Sequence, residues 1–311
     1  MKLLFGLLVA VAALSQPAAP PARWLPIIGE YHRDYGIFHV YEKGGRLTVM
    51  VDRLFEYPLA EEGMSRFRFP KGMYDGAPVE FTTEGMRIGA AFFRRLPDPS
   101  QSGTAFRITP LRPVEQLRAE AMRARPPGEP GEFRKPDLVD LTTLDPAIRL
   151  DIRYATADNF LGTPVYAEAK ASLQRPAAEA LARAHQWLKL QGYGLLIHDA
   201  YRPWTVTKLF WEATPEDKRI FVADPSRGSR HNRGCAVDLT LYDLKTGAPV
   251  EMTGGYDEMS DRSYPDFPGG TSRQRWHRDL LRRAMERAGF QVFDYEWWHF
   301  DYRDWKEYRI Q

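Results

Sequence analysis

Hydrophobic and polar positions divide the chain into three stretches. Residues 3–14 are apolar throughout, after the charge of Lys2. This run is too short to cross a bilayer comfortably, but it suits the apolar region of a secretory leader. Pro17, Pro20 and Pro21 stop any helix beyond it. Residues 1–22 are therefore expected to be a signal peptide, with Ala13-Leu14-Ser15 as a small-x-small cleavage site. The mature chain is expected to be exported, periplasmic or secreted, without stable membrane insertion.

The second stretch alternates in short runs. Ile37-Phe38-His39-Val40-Tyr41 and Arg46-Leu47-Thr48-Val49-Met50-Val51 flank Gly44-Gly45, which predicts a hairpin. Further runs at 66–69, 79–82 and 90–93 are punctuated by Gly and Pro. Residues 23–118 read as a small all-β domain, a barrel or sandwich. His32 and His39 read as ordinary strand residues, because no acidic or histidine cluster accompanies them. Residues 119–136 carry four prolines, two glycines and alternating charge, which predicts an exposed linker.

From residue 137 the period lengthens. Apolar residues at 177, 181, 184 and 188 predict a helix ended by Gly192. Residues 193–197 follow as a strand, 204–212 and 216–223 as short helices, and 235–242 as a strand. A helix over 272–288, capped by Thr271 or Ser272 and ended by Gly289, precedes a last strand at 297–302. Strands and helices do not alternate strictly, so the expected class is α+β. Residues 137–311 should form a catalytic domain with an antiparallel sheet and flanking helices, able to work without the preceding β domain.

Composition narrows the chemistry. The chain has 311 residues and a net charge of +2, so no strong positive field draws it to nucleic acid. The single cysteine, Cys235, excludes an internal disulfide and a multi-cysteine zinc site. Any metal must be held by His, Asp or Glu. Oligomeric state is not legible.

Two segments carry such residues. In the first, Asp238 sits inside an apolar strand, and a buried carboxylate needs a cation. Alternation puts Cys235, Val237, Leu239 and Leu241 on one face and Ala236, Asp238 and Thr240 on the other. Gly234 lets the chain bend so that His231 returns to the Asp238 face. In the second, Glu296-Trp297-Trp298-His299-Phe300-Asp301, His299 and Asp301 share a face. Two imidazoles and a carboxylate suit zinc with an open fourth position. Glu296 is the candidate general base, which requires it to stand at the strand's entrance, where alternation is relaxed. Read alone, His231 with Asp238 fits a structural ion pair as well, and Glu296 a loop cap. Cys235 falls on the face opposite Asp238, against a nucleophilic role.

Taken together, the motifs resemble the VanX-type D-alanyl-D-alanine dipeptidases, zinc peptidases of peptidoglycan-type dipeptides. The family's Ser-x-His-x-x-Gly-x-Ala-x-Asp-Leu-Thr-Leu-Tyr is similar to residues 229–242, and its Glu-Trp-Trp-His to residues 296–299. Residues 154–162, the Asp199-Ala200-Tyr201-Arg202-Pro203 run and residues 252–263 resemble three further motifs, in the family's order. The resemblance spans residues 140–302. It implies one Zn2+ per chain on His231, Asp238 and His299, with Glu296 as general base and acid. It further implies Arg202 facing the oxyanion, Ser229 and Asp257 at the carboxylate and ammonium ends of a small D-amino-acid dipeptide, and substrate contacts at Tyr154, Asn159 and Phe160. Arg230, Tyr264 and Thr253-Gly254-Gly255 depart from the family pattern.

The implied reaction is hydrolysis of D-Ala-D-Ala or a close analogue by metal-activated water. The alternatives are a related zinc D,D- or L,D-carboxypeptidase or endopeptidase acting on longer peptidoglycan peptides and, outside enzymes, a cell-wall peptide-binding protein. Intact Glu296 and Arg202 weigh against the binding protein, since binding needs no proton shuttle.

Overall fold

The computed structural model describes residues 14–34, 36–72, 74–98 and 105–311. The apolar core of the expected leader lies outside the described residues. Nine short strands come first: β1 (Gly29–Arg33), β2 (Gly36–Lys43), β3 (Arg46–Val51), β4 (Phe55–Pro58), β5 (Ala60–Glu61), β6 (Arg66–Arg68), β7 (Pro78–Phe81), β8 (Gly85–Ile88) and β9 (Ala91–Arg95). They form one antiparallel sheet in the order β4-β3-β2-β1-β9-β8-β7-β6-β5. The two ends of that order, β4 and β5, are consecutive in the chain and separated by Leu59 alone, so the sheet closes on itself. Tyr31, Val40, Leu47, Val49, Phe67, Val79 and Met86 fill the inside. At the β2–β3 hairpin, Gly44 and Gly45 take φ of 57° and 77°, the left-handed pair that a tight two-residue turn requires.

The chain then runs through α1 (Val114–Arg123), β10 (Leu138–Asp140), α2 (Leu141–Leu144), β11 (Arg149–Leu150), β12 (Ser172–Gln174), α3 (Arg175–Lys189), β13 (Tyr193–Asp199), α4 (Trp204–Ala213), β14 (Ala236–Asp243), α5 (Ser272–Arg287), β15 (Phe290–Phe293) and β16 (Glu296–Tyr302). A five-stranded sheet has the order β11-β13-β14-β16-β15. Its pairs are antiparallel except β11 with β13, a parallel edge that departs from the wholly antiparallel expectation. One face packs on α3 and α5 through Leu181, Leu188, Leu281, Val237, Leu239 and Phe300. The other face carries the site. Thr271 and Gln274 make a reciprocal capping box at the start of α5.

The expected linker begins inside a helix. Leu117 and Ala121 of α1 are buried against Val206, Leu209 and Phe210 of α4. Downstream, Glu129 accepts a hydrogen bond from Ile310 N at 2.8 Å and pairs with Arg233, and Arg134 N donates to Glu307 O at 2.8 Å. Proline and glycine made this stretch read as free chain, but side chains at its two ends dock it.

The barrel also meets the second unit directly. Glu42 accepts from Ser272 N at the first turn of α5 at 2.7 Å, and Glu30 pairs with Arg262 at 2.6 Å. Among the described residues no helix is long and apolar enough to cross a membrane.

Candidate active site

β14 and β16 pair in a register that sets Asp238 directly opposite His299. The third member arrives from a turn. Gly234 takes φ 67°, and a side chain there would meet Leu138 Cδ2 at 2.5 Å, so only glycine fits the bend that returns His231 to β14. Asn232 clamps this turn, donating to Arg202 O at 2.8 Å and Thr207 Oγ1 at 2.9 Å. Its Oδ1 accepts from Ser229 N.

The three side chains converge. His231 Nε2 lies 3.2 Å from Asp238 Oδ1 and 3.1 Å from His299 Nδ1, and His299 Nδ1 lies 3.0 Å from Asp238 Oδ1. Each ring is held from behind. His231 Nδ1 donates to Ala200 O at 2.6 Å, and His299 Nε2 to Asp301 Oδ1 at 3.0 Å. The inward nitrogens are thereby left as lone pairs aimed at each other and at a carboxylate oxygen, all buried. With both rings neutral such an arrangement repels itself unless a cation, a proton or a metal ion, sits between the three atoms. Ligands about 2.0–2.1 Å from a tetrahedral zinc stand about 3.3 Å apart, close to the spacing here. The donor set fits a zinc-type ion, and the outer partners, Ala200 and Asp301, orient it as second-layer groups do in such sites.

Without a cation the charges show the same tension. Burial opposes ionisation of Asp238, but the two histidines outweigh it and hold the carboxyl well below its usual range. Burial works against protonating His299, yet Asp301 and Asp238 push it up to about 10.

Glu296 opens β16. Its Oε2 lies 3.6 Å from His299 Nδ1, although strict alternation over three residues sets the two on opposite faces. The β15–β16 register shifts at Val292/Phe293, opposite Glu296, and this irregularity turns the carboxylate inward. Burial pushes its pKa up to about 8, with His299 pulling down and Asp238 adding.

Arg202 is held by Asp199, Nε at 2.8 Å and Nη2 at 2.7 Å, and its guanidinium lies over the rings of Phe210 and Tyr154. Nη2 stands 3.5 Å from Asp238 Oδ2, so the cation faces the centre while paired behind. Tyr166 and Ala200 N occupy the other Asp199 oxygen at 2.8 and 2.9 Å. Asp238 Oδ2 accepts from Tyr256 at 3.1 Å.

Asp257 takes φ 57° and accepts from Tyr154 Oη at 3.1 Å. Its other oxygen has no protein partner, and burial pushes the carboxyl well above its usual range. Ser229 Oγ accepts from His231 N at 3.2 Å. Asn159 is fully used by its own loop, donating to Thr156 O and Thr163 O and accepting from Leu161 N. Phe160 is buried against Phe210 and Tyr154. These two stand behind Tyr154.

Other groups separate from the site. Cys235 is buried on the core face, and burial pushes its thiol up to about 12. His185 meets Asp145 at 2.9 Å under α3, and His277 meets Glu251 O at 3.1 Å. His198 stacks on Tyr256, one layer behind the centre. Arg230, a departure from the family pattern, approaches Asp301 at 3.4 Å and lies over Trp305. Tyr256 carried no role in the sequence reading. Its only signal there was its place beside Asp257.

Residues 134–309 match the family of M15 peptidases described as D-ala-D-ala dipeptidase, and the chain belongs to it. The D-alanyl-D-alanine dipeptidase of Escherichia coli K12 is 38% identical over 165 residues, covering 53% of this chain and 84% of that protein. Its namesake in Enterococcus faecium is 38% identical over 175 residues, covering 50% and 87%. That of Streptomyces coelicolor is 35% identical over 186 residues, covering 54% and 92%. A solved LD-carboxypeptidase structure overlaps 57% of this chain and 74% of its own at 18% identity and a TM-score of 0.32, too loose to carry an argument. The β-barrel lies outside the family match.

Proposed function

We propose that this chain is an exported zinc dipeptidase that hydrolyses D-alanyl-D-alanine-type dipeptides, with one zinc held by His231, Asp238 and His299. The observation that carries the reading is the convergence of two lone-pair nitrogens and a carboxylate oxygen at 3.0–3.2 Å, with Glu296 beside them at 3.6 Å. When bound, zinc supplies a Lewis acid and makes a water nucleophile available near neutral pH.

The chain's own groups do the rest. Glu296 Oε2 accepts a proton from the attacking water and passes it to the leaving amine, and its raised pKa suits a group that both takes and gives. Arg202 is fixed by Asp199 before substrate arrives, so its positive charge meets the developing oxyanion without reorganisation. Asp257, with one oxygen unpartnered, receives the dipeptide's ammonium, and Tyr154 holds that carboxylate in place. Ser229 serves the carboxylate end. Trp298 is buried against Tyr256, edge-on at 5.6 Å, behind the Tyr256 hydroxyl that holds Asp238.

The domain reading belongs to the same proposal: a leader over residues 1–22, the barrel, and a peptidase unit from about residue 137. The apolar run at 3–14 supports export. The test is D-alanine release from D-Ala-D-Ala by the full chain. It is expected with zinc restored and absent after chelation. Zinc-independent turnover, or none with zinc bound, contradicts the reading.

A further inference from the structure

The loop between β14 and α5 brings two groups to the site, Tyr256 onto Asp238 and Asp257 onto Tyr154. Asp257 holds a left-handed φ of 57°. A non-glycine residue stays there only when its surroundings fix it. What fixes it is the next residue. Glu258, buried, accepts from Gly255 N at 3.0 Å, from Ser260 Oγ at 2.7 Å and from Arg262 Nε at 2.6 Å. Gly254 packs on the Arg262 stem so closely that a side chain there would meet Arg262 Cβ at 2.8 Å. Arg262 then turns outward and reaches Glu30 of β1 at 2.6 Å, also buried. Behind the loop lies a cleft of about 740 Å³, lined by Glu30 and His39 of the barrel and by Gly254, Gly255, Tyr256 and Glu258 of the loop. Across the cleft the barrel meets this segment through Glu30, Pro97 O and Asp98 on Arg262, through Arg53 on Asp261, and through His39 edge-on to Phe267, and the Glu30–Arg262 pair is the contact that continues through Glu258 to the substrate-facing residues.

We infer that the β-barrel braces the substrate loop: Glu30, through Arg262 and Glu258, positions Asp257 and Tyr256 for recognition of the dipeptide's free amino end. Glu30 and Arg262 are positioning residues. The consequence for substrate rests on the dipeptidase reading above, while the brace itself does not. It also runs against the expectation that residues 137–311 work unaided.

The test uses the full, zinc-loaded chain and its variants Glu30→Ala, Glu30→Gln and Glu42→Ala. The Glu42 side chain holds the barrel to the start of α5, and the residue meets the loop only through its backbone N–H on Gly270 O, away from residues 252–260. Amide exchange over residues 252–260, read without substrate, should quicken by about fivefold or more in Glu30→Ala and less in Glu30→Gln, with little change in Glu42→Ala. KM for D-Ala-D-Ala should rise by about three- to tenfold in Glu30→Ala, with kcat within about twofold and zinc content unchanged. Preference for D-Ala-D-Ala over its N-acetyl form should shrink in parallel. A purely structural role would lower the melting temperature and leave KM and this preference alone. Should Glu30→Ala fail to fold, Glu30→Gln keeps the side-chain shape and carries the same comparison. Unchanged exchange in both Glu30 variants overturns the brace, as does an equal KM shift in Glu42→Ala. Faster exchange at parental KM overturns its role in recognition. A parent that turns over no dipeptide defeats the dipeptidase reading, and exchange still decides the brace.

Discussion

His299 Nε2 lies 3.0 Å from Asp301 Oδ1 and its Nδ1 3.0 Å from Asp238 Oδ1, so a proton given to Asp301 leaves the nitrogen facing Asp238 as a lone pair. Asp301 is in turn approached by Arg230 from outside. A metal ligand oriented by a buried carboxylate is a more basic and better aimed donor.

Asp301→Ala should therefore weaken zinc binding by about 10–100-fold without removing a ligand. Chelator competition on parent and variant measures it. Parental zinc affinity would show that the ring is aimed by packing alone.

Tyr154→Phe removes the hydroxyl that holds Asp257 and leaves that buried carboxylate with no hydrogen-bond partner from Tyr154. An unmet buried polar group costs about 1–3 kcal/mol, so kcat/KM for the dipeptide should fall by about tenfold. The loss should appear mainly in KM. A fall in kcat alone would place Tyr154 at the reacting bond instead.

Leu117→Ala tests the helix that runs from the end of the expected β domain into the expected linker. Leu117 is fully buried between α1 and α4, so its truncation should cost about 2–5 kcal/mol. Denaturant unfolding of parent and variant gives the difference. A change within error would mean that α1 is not packed in solution.

His39 faces the barrel–peptidase junction, near Glu30, Arg53, Asp261 and Arg262 and edge-on to Phe267. Burial pushes its pKa down to about 4 from 6.5, with Arg53 adding, Asp261 opposing and Arg262 adding. The unfolded chain binds this proton first, so the neutral ring's contribution is full above pH 6.5 and is lost as pH falls towards 4. The melting temperature of the parent should drop more steeply across that window than that of His39→Gln. Equal slopes would mean that His39 is not buried neutral.

Much of this was legible in the sequence for a physical reason: strand alternation is rigid. It set Asp238 on the face opposite Cys235 and Val237, and the structure keeps that division. Gly234 signalled the bend that returns His231. Glu296 was legible as chemistry but not as geometry, because a register shift between β15 and β16 leaves no mark in composition. The parallel β11–β13 edge and the docking of residues 114–134 were hidden for a related reason, since both depend on partners distant in the chain. Asn159 was named as a substrate contact by resemblance alone, and in the structure its amide is bonded within its own loop to Thr156 O, Thr163 O and Leu161 N. The Glu30–Arg262 bridge joins residues with no shared motif, and only the fold brings them together.

The most direct test of the central claim is zinc content measured alongside D-alanine release in Glu296→Gln. Glutamine keeps the shape and hydrogen bonds of the side chain but cannot take a proton. The variant should hold one zinc per chain and bind the dipeptide, while kcat falls by about 10²–10⁴. Parental turnover would show that Glu296 moves no proton, and an emptied metal site would make it a ligand; either result contradicts the account.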